Sequence, residues 1–172
     1  MAHDTTGGAF PRSGHDHSGC LAEAVARAER QFAERGLKLT EQRRLVLAEI
    51  AASHNALGAY EILDRLAARG RRLAPISVYR ALDALAEVGA IHRLESRNAF
   101  FACHSHHASR HEQLVLACEQ CGRVAELAAP DAFAALTRAT AAARFKPRRS
   151  VVEIVGTCAE CHKGAVGTGS AP

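Results

Sequence analysis

Two Cys-x-x-Cys pairs, Cys118-Glu119-Gln120-Cys121 and Cys158-Ala159-Glu160-Cys161, constrain this chain more than any other feature. The two-residue gap lets both sulfurs of a pair turn toward one point, and Gly122 lets the chain fold back under the first pair. Two such knuckles supply four thiolates, the closed tetrahedral set that a structural zinc takes. A pair of thioredoxin-like redox motifs is the competing reading. It is disfavoured because neither pair is expected to open a helix after a strand in a βαβ pattern, and no other cysteine lies between the pairs.

At 172 residues the chain has room for one sizeable core or two small ones. It contains no apolar run long enough for a membrane span, and its start, Met1 to Gly8, has no apolar signal core. Six cysteines could suggest a secreted disulfide scaffold, but knuckle spacing without a signal segment fits reduced thiolates holding metal in the cytoplasm. The formal charge is +4, with lysine only at Lys38, Lys146 and Lys163, so arginine dominates a mildly basic chain that permits nucleic-acid binding. Tryptophan is absent and aromatic residues make up 5%, which argues against a platform for stacking single-stranded bases.

Residues 1–19 are rich in Gly, Ser, His and Asp and are expected to form a disordered, His-containing tail. From Leu21 an alanine-rich helical pattern runs toward Gly36, a residue suited to a left-handed C-cap. Thr40 can cap the next helix, with Glu41 in its first turn and Leu47, Ile50 and Ala51 on its buried face. A third helix covers 60–69, with Ile62, Leu63 and Leu66 inward. Pro75 and Ser77 signal a fourth, along which Val78, Leu82, Leu85 and Val88 recur at helical spacing before Gly89. Its opposite face presents Ser77, Tyr79, Arg80 and Asp83, the layout of a DNA-recognition helix. An ordinary amphipathic helix would look the same, and the chain beyond Gly89 decides between them.

Residues 90–94 and 99–103 read as two strands around Ser96-Arg97-Asn98, a hairpin placed directly after the recognition-type helix, which is a winged-helix arrangement. With the turn centred on Arg97-Asn98, His92 and Cys103 face each other on one side of the hairpin, their Cβ atoms about 4.5–5.5 Å apart. That is close enough to share a metal. Beyond a connector containing His104, His106, His107 and His111, a second domain is expected: a strand over 114–117 into the first knuckle, a strand out of it over 123–127, a helix from Pro130 to about Arg144 contacted by Phe133, Leu136 and Phe145, and a strand over 150–155 into the second knuckle. A domain this small needs a zinc staple and a partner subunit.

The run Pro75-Ile76-Ser77-Val78-Tyr79-Arg80-Ala81-Leu82, the wing, and the Cys118/Cys121/Cys158/Cys161 framework together resemble the ferric uptake regulator family of metal-sensing repressors, over about residues 21–162. The resemblance is nearest the zinc-sensing branch, which has a His eleven residues before a Cys, a second His eight after that Cys, and a Glu eight after the first knuckle cysteine. His92, Cys103, His111 and Glu126 match that spacing. The iron-sensing branch more often shows adjacent histidines with an acid before the first knuckle, where this chain reads His111-Glu112-Gln113-Leu114. Ser150 stands where some members carry a His of a further metal site, so that site is not implied.

The resemblance implies an α+β protein: a winged-helix DNA-binding domain over 20–103, a hinge over 104–110, a small α/β dimerisation and metal-binding domain over 111–163 with the four-cysteine structural zinc, and a disordered tail over 164–172. It implies two zinc ions per chain, the second regulatory and held by His92, Cys103, His111 and Glu126, and a homodimer that binds double-stranded operator DNA to repress zinc-uptake genes. It also puts Tyr60 on the DNA side with Ser77 and Tyr79, and has Arg80 read purines, for which a bidentate bond to guanine is the chemical basis. Two imidazoles, one thiolate and one carboxylate form a mix that suits tetrahedral zinc, whereas iron(II) or manganese favours six oxygen and nitrogen ligands. The alternatives are an iron, manganese, nickel or peroxide sensor of the same family, or a zinc hydrolase or deaminase. The enzyme reading lacks an open coordination position at either set, and Ala117 stands where a deaminase motif needs proline. Arg43, Arg44, Arg71, Arg72 and Arg93 are either phosphate contacts or solvated charges.

Overall fold

The computed structural model describes Phe10, residues 17–103 and residues 112–166. These divide into two compact units, one within 12–104 and the other within 1–11 and 105–172. Each unit is built from its own sequence pattern.

In the first unit, α1 (His17–Ala33) begins four residues before the expected Leu21. Its inner stripe, Cys20, Ala24, Ala28 and Phe32, recurs every fourth residue and is buried. The Thr40 side chain accepts from the Arg43 N–H at the start of α2 (Glu41–Ala51), and Val46, Leu47, Ile50 and Ala51 are buried along it. A two-residue strand, β1 (Leu57–Gly58), precedes α3 (Ala59–Ala68), which turns Ile62 and Leu66 inward. Pro75 opens α4 (Pro75–Val88), where a missing N–H is no loss, and Gly89 closes it at φ 82°. Val78, Leu82, Leu85 and Val88 are buried on α4 against the same core as α2 and α3.

The wing consists of β2 (Ile91–Leu94) and β3 (Ala99–Ala102), with β1 added to the outer edge of β3. Its register differs from the expected one by two residues. His92 pairs with Phe101 instead of Cys103, and the Cys103 N–H donates to the Ala90 carbonyl. The cause is local: a 3₁₀ turn over Glu95–Arg97 ends on Asn98 in the left-handed region, which centres the turn one peptide earlier. Because the shift is even, His92 and Cys103 stay on one face of the hairpin, as diagonal neighbours.

In the second unit β4 (Glu112–Cys118) is the central strand. It pairs antiparallel with β5 (Val124–Leu127) and parallel with β6 (Ser150–Gly156), with α5 (Pro130–Ala142) in the crossover. Phe133 anchors α5 in the core. Leu136 and Phe145, expected as further apolar contacts, are exposed instead, as are Ile154 and Val155 on the edge strand β6. A last helix, α6 (Ala159–Val166), runs through Gly164, where a disordered tail was expected. Residues 167–172, the tail before His17 apart from Phe10, and the connector 104–110 lie outside the described residues.

Candidate metal centre

The parallel pairing of β4 with β6 builds the four-cysteine centre. Both strands end at the same edge in register, with Cys118 opposite Gly156, so the two knuckles leave the sheet side by side. The Glu119 N–H continues the ladder to the Gly156 carbonyl at 2.9 Å. Gly122, at φ 74°, then reverses the chain and donates to the Cys118 carbonyl at 3.0 Å. On the other side Cys158 leads into α6, its carbonyl accepting from His162 N–H at 2.9 Å. The second pair therefore does open a helix directly after a strand, which the sequence pattern did not lead us to expect. Convergence is what excludes a redox motif: the sulfurs of Cys118, Cys121, Cys158 and Cys161 all lie within 4.8 Å of one another. A two-cysteine redox motif has no use for four.

The electrostatics of the centre favour a cation. Burial opposes ionisation of Cys118, but N–H donors at Cys121 and Cys158 and the Cys121 side chain outweigh it and bring the thiol down to about 6. At Cys121 burial is likewise outweighed, here by the Arg123 guanidinium, and the thiol is lowered. Cys161 moves the other way, up to about 12, because it shares a hydrogen bond with Cys158 and is partly desolvated. Four crowded sulfurs cannot all ionise by losing protons to water. A divalent cation that replaces those protons removes the conflict, and four soft donors with no fifth position suit zinc.

Arg123 is a part of the centre that the sequence reading missed. Its Nε donates to Cys121 Sγ at 3.2 Å, and its Nη2 to Cys158 Sγ at 3.4 Å and to Glu160 Oε2 at 2.8 Å. Glu160 first, then Cys121, hold it firmly protonated. The available signal was an arginine two residues after a knuckle cysteine and an acid inside the other knuckle.

The remaining expected ligands fall in both units. His92 and Cys103 of the wing have their ligating atoms within 4.8 Å of each other, and the His92 ring tilts against Phe101 at 5.7 Å between centroids. The Cys103 carbonyl accepts from the Arg27 guanidinium on α1. Glu126 lies on β5 opposite Val115 in the second unit. His111 lies outside the described residues.

The expected DNA-contacting face is exposed at Tyr79 and Arg80, with Ser77 half-buried beside them, and Tyr60 stands 70% exposed at the start of α3. Ile76 adds an exposed apolar side chain at the front of α4, which sequence reasoning passed over. The arginines that sequence could not separate now divide. Arg43 stacks on the Phe32 ring at 4.9 Å and donates to the Lys38 carbonyl, Arg44 pairs with Glu29 at 2.6 Å, and Arg93 is held by Glu95 and Asn98 inside the wing. Arg71 and Arg72 are exposed just ahead of α4.

Comparison with known proteins gives the same picture. The ferric uptake regulator family profile matches residues 34–155. The zinc uptake regulation protein of Escherichia coli (strain K12) is 36% identical over 139 residues, covering 81% of this chain and 81% of that protein. Among solved structures, a zinc uptake regulator complexed with zinc and DNA superposes with a TM-score of 0.79 at 34% identity, over 85% of this chain and 97% of the other. The crystal structure of holo XcZur gives 0.73 at 38% identity, over 83% and 99%.

Proposed function

This chain belongs to the ferric uptake regulator family, and from that premise we propose that it is a zinc-responsive transcriptional repressor, binding operator DNA as a homodimer. The observation that carries the reading is the front of α4. Exposed Tyr79 and Arg80, on a helix held by a winged-helix core, stand in the same chain as a four-thiolate centre. Arg80 suits bidentate recognition of guanine, Ile76 and Tyr60 suit thymine methyls, and Arg71 and Arg72 suit phosphates. In the second unit the exposed Leu136, Phe145, Ile154 and Val155 are the apolar surface that a second copy would cover.

In this reading the four cysteines hold a structural zinc, and His92, Cys103, His111 and Glu126 hold the sensed zinc. The support for the second set is its spacing in the chain and the closeness of His92 and Cys103, diagonal neighbours on one face of the wing with ligating atoms within 4.8 Å. Two of these ligands come from each side of the 104–110 connector. A zinc held by all four would limit the angles between the units and space two recognition helices for a two-fold site. The role calls for no catalytic step and for a cytoplasmic location beside the DNA. No helix among the described residues is long and apolar enough to cross a membrane.

The test is a titration of operator affinity against zinc, iron(II), manganese and nickel, with peroxide treatment as a further arm. Zinc is expected to tighten binding at the lowest free concentration. A stronger response to another metal, or release by peroxide alone, would move the protein to another branch of the family.

A further inference from the structure

We propose that Arg123 is a positioning residue of the four-cysteine centre: a buried guanidinium that ties the two knuckles together, hydrogen-bonds their sulfurs, and slows loss of the metal. The inference rests on the zinc reading of those cysteines.

Arginine is seldom buried in so small a unit, because desolvating its charge costs several kcal/mol unless every donor is used well. Arg123 is 8% exposed, and its side-chain partners at the centre include Cys121, Cys158 and Glu160. Cys121 belongs to the first knuckle, whereas Cys158 and Glu160 belong to the second, 35 and 37 residues beyond Arg123. One planar fork therefore spans both halves of the site, a geometry that lysine's single ammonium cannot reproduce. Its backbone is fixed as well, because its carbonyl accepts from Cys118 N–H at 2.9 Å.

The brace acts on the metal in two ways. Four thiolates around a zinc ion carry a net charge of about −2 by formal count, and a guanidinium at 3.2 and 3.4 Å from two sulfurs offsets part of it. It also holds the knuckles together when a ligand is momentarily released, so rebinding competes with escape. Cys121 and Cys161 are the two half-buried sulfurs, whereas Cys118 and Cys158 are buried. Arg123 lies on one of the half-buried pair, where ligand loss to solvent would otherwise start.

The experiment uses the full-length chain carrying zinc, with parent, Arg123→Met, Arg123→Lys and Glu160→Gln proteins. Zinc transfer to a chromogenic chelator gives retention, and cobalt(II) substituted at the four-cysteine centre gives the sulfur-to-metal charge-transfer band. Arg123→Met is expected to lose zinc about 10- to 100-fold faster, the scale on which outer-shell partners act. Its cobalt band should move to lower energy, because sulfurs without hydrogen bonds release electrons more readily. Arg123→Lys should recover part of both. Glu160→Gln, at a more exposed carboxylate, should shift retention in the same direction by less, and it decides the matter if Arg123→Met does not fold. Unchanged retention and an unmoved cobalt band in a folded Arg123→Met protein, or parent-like retention in Glu160→Gln where Arg123→Met fails to fold, would overturn the proposal. A parent protein whose four cysteines bind no zinc would overturn the zinc reading itself, and the brace with it.

Discussion

Arg80 and Arg43 carry the same charge on two helices of one unit, yet their surroundings suit them to different tasks. Arg43 is occupied, stacked on Phe32 and donating to the Lys38 carbonyl, so its fork is not available to a base pair. Arg80 is exposed beside Tyr79 on the solvent face of α4. Replacing Arg80 with alanine should lose about 1–3 kcal/mol of specific DNA binding and relax discrimination at one base position, with zinc content unchanged. Arg43→Ala is the matched control, expected to cost about 0.5–1 kcal/mol of stability through the lost ring contact and to leave specificity alone. Competition binding with single-base operator variants separates the two, and equal operator affinity for Arg80→Ala and the parent would remove Arg80 from the recognition surface. Sequence alone offered Arg80 through its place on a polar helix face. It could not tell Arg43, Arg44 and Arg93 from Arg71 and Arg72, because their partners Phe32, Glu29 and Glu95 are fixed by packing and by the wing turn.

The elements differ in how much local sequence determines them. Thr40 before α2, Pro75 and Gly89 around α4, and the four-residue recurrence of apolar positions are local signals, and the helices obey them closely. The wing was legible as a hairpin but not in register, since Asn98 entering the left-handed region moved the turn centre. The parallel pairing of β4 and β6 was not legible at all, because strands joined through a helix carry no local sign of which neighbour they choose. Knuckle spacing nevertheless predicted the convergence of four sulfurs, since it constrains the metal ligands without reference to the sheet. This dependence can be tested at Cys118, which ends β4 and also supplies a ligand. Cys118→Ser should deprive the second unit of a binding energy that in small zinc domains reaches about 10–16 kcal/mol. Hydrogen exchange should show protection lost in β4, β5 and β6 and retained in α1–α4, with a metal-poor and monomeric product. Parent-like thermal stability with an intact dimer would count against a structural role for the centre.

A repressor of this design needs its two units to respond to one ligand, and Cys103 offers the sharpest test of whether they do. It directly follows the wing strand β3, buried, beside His92, with its carbonyl anchored by Arg27. Cys103→Ser removes one soft donor while leaving the backbone hydrogen bond from Arg27 and all four knuckle cysteines in place. The variant should stay folded and dimeric and retain about one tightly held zinc per chain instead of about two, as the ligand count requires. It should still bind DNA weakly and in a salt-sensitive way through its arginines, because phosphate contact does not depend on the sensed metal. What it should lose is the gain in affinity on adding zinc. Linkage then demands the reciprocal effect: operator DNA should tighten zinc binding in the parent and have no such effect in Cys103→Ser. His92→Ala and Glu126→Ala should reduce the response in the same direction, since each removes one member of the same proposed set. Zinc titrations with and without operator, read by fluorescence anisotropy and a competing chelator, measure both sides of the cycle. A Cys103→Ser protein that tightens on DNA with added zinc as the parent does would detach sensing from the wing, and the connector histidines would be the next residues to substitute.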